Sequence, residues 1–109
     1  MGIKPLEDFT LIGGTSFHGK TITATADELI TIFGPPSGDS NGMGEKTNLE
    51  WDLTTDDGTV FTIYDWKEYR KLSMDEPVEW HIGSHTKDDS DKVFSTIVRH
   101  LMDMVSKSY

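Results

Sequence analysis

The sequence predicts an α+β domain, a mainly antiparallel sheet of about four to five strands packed with one short helix and one C-terminal helix. Three stretches carry that prediction. Residues 49–67 read as two alternating runs around Asp56-Asp57-Gly58, which is the pattern of a β-hairpin. Residues 25–33 hold a capping box followed by apolar positions at helical spacing. Residues 90–106 start polar and continue as an apolar helical stripe.

Taken in order, residues 9–12 form a short apolar run closed by Gly13-Gly14, and residues 21–25 alternate Thr-Ile-Thr-Ala-Thr. Two short strands around a Gly-bounded loop follow from this, with Thr15, Ser16, Phe17 and His18 in the loop. Thr25 then serves as N-cap with Glu28 three residues on, and Ala26, Leu29, Ile30 and Phe33 share a face, giving a helix over 26–33. Gly34, Pro35 and Pro36 stop it. Residues 37–47 are polar and Gly-rich without an apolar period and read as a long loop.

The hairpin register decides which residues face the core. A type I turn with Gly58 left-handed and a bulge sets Leu53 opposite Phe61 and Trp51 opposite Ile63, so these four are the buried face. The other face then carries Glu50, Asp52, Thr62, Tyr64 and Trp66. A tighter turn on Asp57-Gly58 alone would pair Trp51 with Tyr64 instead. Residues 78–83 alternate again, with Val78, Trp80 and Ile82 on one face and Glu79 and His81 on the other. The last helix, over 91–106, takes Ser90 as N-cap, with Asp88, Asp89 and Asp91 at the positive end of its dipole. Val93, Phe94, Ile97, Val98, Leu101, Met102 and Val105 form the stripe that covers the sheet.

At 109 residues, with no internal repeat and no linker, the chain is one domain spanning 1–109. The absence of cysteine excludes a disulfide framework and thiolate chemistry. With no apolar run of signal-peptide or membrane length, the chain reads as cytoplasmic and without a membrane partner. A net charge of −9 opposes binding of nucleic acid as a polymer. That charge has two readings: an acidic surface that keeps the protein in solution, or a competitor for basic grooves.

Residues 14–21, Gly-Thr-Ser-Phe-His-Gly-Lys-Thr, match the phosphate-loop pattern, and Phe61 to Asp65 resembles its acidic partner strand. That motif needs a strand leading into a helix within a parallel sheet. Here Lys20 leads into strand chemistry, and the helix starts only after Thr25. His81 and His85 have metal-ligand spacing, yet they flank Gly83 on a strand and a loop, where i and i+4 share no face. Residues 39–42 lack the spacing and terminal Glu of a calcium loop. No Ser-His-Asp or paired-carboxylate arrangement follows from spacing. The reading is a binding protein without catalytic residue, metal or cofactor.

Tyr64, Trp66, Lys67 and Arg70, with Trp80 and His81 on another strand, combine aromatic faces with positive charge. Aromatic rings stack bases, and Lys or Arg beside them holds a phosphate. The same rings could equally pack a helix or a twin subunit. His81 is either a donor to a ligand or an ordinary surface histidine.

The order Gly14-Thr15-Ser16, Gly19, Phe33-Gly34-Pro35-Pro36, Asp57-Gly58-Thr59, Phe61 through Lys67 (FTIYDWK) and Trp80-His81-Ile82-Gly83 resembles a group of small phage-encoded proteins. Over residues 11–83 the chain is similar, within that group, to phage anti-defence sponge proteins that sequester the cyclic nucleotide signals of bacterial CBASS or Thoeris immunity. The resemblance implies binding without turnover. Tyr64 and Trp66 or Trp80 would flank a base, while Thr15, Ser16, Lys67, Arg70 and His81 would address phosphate and ribose, with His18 beside them. An acidic protein must enclose an anion to bind it, so a pocket shared between copies, and hence a homo-oligomer, is expected. Two other classes stay open: an acidic inhibitor of a host protein that imitates nucleic acid, and a phosphate-loop nucleotide hydrolase.

Overall fold

The computed structural model describes residues 2–36, 38–39, 49–65 and 74–107. In chain order these form β1 (Ile3–Pro5), a 3-10 helix (Phe9–Ile12), β2 (Ser16–Ala24), α1 (Ala26–Phe33), β3 (Gly38–Asp39), β4 (Leu49–Thr55), β5 (Val60–Asp65), β6 (Val78–Ser84) and α2 (Lys87–Lys107). The sheet runs β1-β4-β5-β6-β2, with the two-residue β3 also on β4, and its pairings are antiparallel. The α+β class is as the sequence predicts.

The hairpin takes the bulged register. Trp51 pairs with Ile63 and Leu53 with Phe61, and Gly58 turns the chain at φ 88° with its N–H donating to the Thr55 carbonyl. Glycine is needed there because a side chain at that φ meets its own backbone. Trp51, Leu53, Phe61 and Ile63 are fully buried, joined by Trp80 and Ile82 from β6. Both helices cover this face: Leu29 and Phe33 of α1 and Val93 and Ile97 of α2 complete the core. The opposite face of the sheet is the outer face. The 3-10 helix and the turn after it lie against it, next to β5.

Helix α1 starts as its sequence dictates. Thr25 Oγ1 accepts from the Glu28 N–H at 3.1 Å and Glu28 Oε1 accepts from the Thr25 N–H at 2.8 Å, which satisfies two amides with no intrahelical partner. Gly34 ends it at φ 87°.

Four expectations are corrected. Residues 9–12 are a 3-10 helix rather than a strand, because Asp8 caps them through the Thr10 N–H. The second strand begins at Ser16, so Ser16, Phe17 and His18 lie in β2 and not in a loop. Helix α2 begins at Lys87, with Thr86 as its cap: the Asp89 N–H donates to Thr86 Oγ1 at 3.0 Å. Ser90 is instead buried within the helix, 2.5 Å from Ser84 Oγ, and serves a tertiary contact. Met102 and Val105, placed in the covering stripe, are 64% and 49% exposed, because the last turns of α2 carry little of the sheet beneath them. The chain before Phe9 also supplies an edge strand, β1, which pairs with the end of β4.

Candidate functional site

Strand alternation places the outer-face side chains in rows. Glu50 pairs with Tyr64, Tyr64 with His81, and His81 with Thr21. The adjoining row runs Asp52, Thr62, Gly83 and Phe17. An irregularity in β2 between Phe17 and Thr21, where Gly19 sits at φ 94°, keeps Phe17 on this face. The Phe17 ring consequently stacks on His81 with centroids 4.2 Å apart and planes 25° apart. Tyr64 tilts against the other side of the histidine at 5.6 Å. Phe17, His81 and Tyr64 form one aromatic strip.

Gly83 lies beside the strip in place of a side chain. A Cβ there would come within 2.5 Å of Thr62 Oγ1 and 3.5 Å of Tyr64 Cε1, so the glycine holds space open. That space is a cleft of about 260 Å³. Glu50, Thr62, Tyr64 and Gly83 form its floor, and Ile12, Thr15 and Ser16 rise over it from the end of the 3-10 helix. Thr15 Oγ1 donates to the Ile12 carbonyl at 2.8 Å, which fixes the turn and leaves its oxygen as an acceptor.

The electrostatics of the cleft come from an acid pair. Burial of the Glu50 carboxyl, with the hydrogen bond and then the negative charge of Asp52, pushes its pKa from the ordinary 4.5 up to about 8. Glu50 is therefore mainly protonated at pH 7, with the Asp52 carboxyl, only 8% exposed, behind it. Burial, and secondarily the nearby Glu50, raises the Tyr64 phenol above its usual value. Burial lowers His81, an effect that Glu79 opposes. The strip thus presents a neutral phenol and a histidine biased to its neutral form.

The structure brings together Thr15, Ser16 and Tyr64 in the cleft, with His81 at its side. His18 turns away from it: its Nε2 donates to the Ser84 carbonyl at 3.1 Å and lies 3.3 Å from Ser16 Oγ, so it supports the wall. Trp80 is corrected. It is fully buried on the core face and its indole N–H donates to the Ala24 carbonyl at 2.9 Å, so it cannot flank a base on the outer face. Trp66, Lys67 and Arg70 lie outside the described residues. Glu50, Thr62, Gly83 and Phe17 were missed as site residues. Glu50 and Thr62 were already on the correct face by alternation, but nothing in their spacing distinguished them from a solvated face.

The phosphate-loop arrangement is absent at residues 14–21. Lys20 and Thr21 sit within β2, antiparallel to β6. The Lys20 ammonium lies 5.1 Å from the Phe94 ring centroid and 3.6 Å from Asp91, occupied by α2. Asp65, the supposed partner acid, is buried and accepts from the Leu49 N–H at 2.9 Å. Among the described residues no group of three His, Cys, Asp or Glu side chains gathers as a metal site, and no helix is long and apolar enough to cross a membrane. No protein-family model matches the chain, and no curated protein matches it either.

Proposed function

We propose that the protein binds a cyclic nucleotide signal and holds it without turnover, as a phage counter-defence sponge working in the cytoplasm of an infected bacterium. The observation that carries this reading is the strip of Phe17, His81 and Tyr64 bordering a cleft of about 260 Å³. Base stacking on aromatic rings stabilises a complex by roughly 1–3 kcal/mol per base and needs no sequence code. The hydroxyls of Thr15, Ser16 and Thr62 are placed for ribose or an amide-like edge. The motif resemblance supplies the ligand class and the absence of turnover.

The cleft is smaller than the pockets of about 300–1,000 Å³ that enclose a whole small ligand. It suits one base. A cyclic di- or trinucleotide would therefore need further walls, which a second copy of the chain supplies in this reading, and Trp66, Lys67 and Arg70 are assigned to the remaining base and the phosphates.

One observation favours a second reading, an acidic inhibitor of a host protein. Lys92 Nζ bonds Asp57 Oδ2 at 2.8 Å and so ties the acidic hairpin tip, Asp56-Asp57, to α2, whose first turn carries Asp88 and Asp89. One experiment separates the two. The pure protein is incubated with a panel of cyclic di- and trinucleotides and cyclic ADP-ribose isomers, then heat-denatured, and the released ligand is identified. Intact ligand in the supernatant supports the sponge, and cleaved ligand supports a hydrolase. No binding tighter than about millimolar ends the nucleotide reading in favour of the inhibitor.

A further inference from the structure

We infer that the cleft is a base-edge subsite in which Glu50, beside Asp52 on the same face of β4, accepts a hydrogen bond from an N–H of a nucleobase, while the phosphates of the same ligand stay outside. The inference rests on the proposed nucleotide reading and adds an orientation to it.

The argument starts from what lines the cleft. Among the described residues that line it, none is cationic: Thr15, Ser16 and Thr62 are hydroxyls, Ile12 is apolar, and Glu50 is an acid. A phosphate placed here would meet the carboxyls of Glu50 and, behind it, Asp52 with no Lys or Arg among the described lining residues, which a half-buried site does not tolerate. An uncharged heterocycle meets no such penalty. One of its faces finds Tyr64 on the floor of the cleft, and its edge finds Glu50 beside it.

The state of Glu50 follows from its neighbours. Asp52 is two residues along β4 on the same face, and the two carboxyls are hydrogen-bonded. Tyr64 stands opposite on β5, His81 follows in the same row on β6, and Glu79 lies beyond. On the other side, β3 presents Gly38, which brings no charge. Among the described residues no cation stands in this row while His81 is neutral, and Lys4 of β1 lies opposite Thr54, two residues beyond Asp52, so a second ionised carboxylate next to Asp52 is disfavoured and one proton is shared between the acids. With that proton directed to Asp52, the carbonyl oxygen of Glu50 is left to accept from an N–H in the cleft. The amino groups of adenine, guanine and cytosine and the ring N–H of uracil each satisfy it. Once Glu50 ionises, the cleft carries two negative charges and repels any ligand that bears phosphate.

The test is isothermal titration of the full chain with cyclic di-adenylate, cyclic di-guanylate and cyclic di-uridylate, with the nucleosides adenosine, guanosine, cytidine and uridine, and with inorganic phosphate as competitor. The expected result is that nucleosides compete with the best cyclic nucleotide and inorganic phosphate does not. Glu50→Leu loses at least about tenfold in affinity, the scale of one unmet buried hydrogen bond. Wild-type affinity falls as pH rises through about 8, and Glu50→Gln, which cannot ionise, removes that fall even if the Leu variant proves unfolded by circular dichroism. Cyclic nucleotides that bind with an unchanged pH profile in Glu50→Gln, or that phosphate displaces, overturn this inference alone. Nucleosides that bind while no cyclic nucleotide does overturn the sponge reading alone. Failure of both classes to bind overturns both.

Discussion

Trp51 and Trp80 meet edge to face with centroids 5.4 Å apart and planes 80° apart, and between them they hold the two ends of α1. Trp80 donates its indole N–H to the Ala24 carbonyl just before the helix, and Trp51 donates to the Gly34 carbonyl just after it, each at 2.9 Å. The helix is clamped onto the sheet at both ends.

Replacing Trp80 by Phe therefore removes a buried donor and some packing together. The Ala24 carbonyl loses its partner at a cost of about 1–3 kcal/mol, and urea unfolding should show a lower midpoint at unchanged slope. Trp51→Phe should behave likewise. The double variant should deviate from the sum of the two by about 0.5–1.5 kcal/mol, the scale of the aromatic contact they share.

Helix α2 should depend on Thr86 as its cap. Thr86→Ala is expected to cost about 0.5–2 kcal/mol in the same unfolding assay. Rescue by Thr86→Ser or Thr86→Asp, either of which restores a side-chain acceptor for the Asp89 N–H, would distinguish the capping role from a general packing loss.

Glu50 should make stability fall as pH rises. Its carboxyl ionises near 4.5 in the unfolded chain and near 8 in the native state. Between those values the native state binds more protons than the unfolded one, so stability decreases across that window and levels off above it. Solvent screens the half-exposed group, leaving a loss of about 1–2 kcal/mol. Unfolding curves for Glu50→Gln measured from pH 5 to 9 should be flatter than those of the wild type, and parallel curves would refute the assignment.

Gly83→Ala should close the cleft. The added methyl would stand 2.5 Å from Thr62 Oγ1, on a side chain only 5% exposed, so the neighbours have little room to give. A destabilisation of about 1–3 kcal/mol is expected, as for other overpacked sites. Nucleotide binding in a titration should drop by more than that of Thr23→Ala, which changes the same sheet face away from the cleft.

How much of this was legible in the sequence depended on whether a local pattern decided the outcome. The capping box at Thr25 and Glu28 and the Asp-Asp-Gly turn act over three or four residues, and both appear where their chemistry puts them. Ser90 misled because its type suits a cap. Thr86 took that role, and the hydroxyl of Ser90 met Ser84 on β6, a pairing that only the folded sheet creates. The candidate site was half legible for the same reason. Alternation put Glu50, Thr62 and Tyr64 on one face and His81 on another strand. The row that joins them comes from the β5–β6 register, for which the sequence offers no turn to count from. Phe17 joined the strip only through the irregularity at Gly19, which no period records.

That irregularity also bears on how open the sheet is to pairing with a foreign strand. Strand β2 is the last in the sheet order, and its ladder to β6 is interrupted between Phe17 and Thr21. At the opposite end, β1 is three residues long and finishes in Pro5, which has no N–H to offer. Both margins are thus poor templates for another strand, and growth into a continuous intermolecular ladder is discouraged. An assembly of copies, if one forms, would have to use the broad faces of the sheet rather than its margins, and on the outer face the Phe17 ring is 42% exposed.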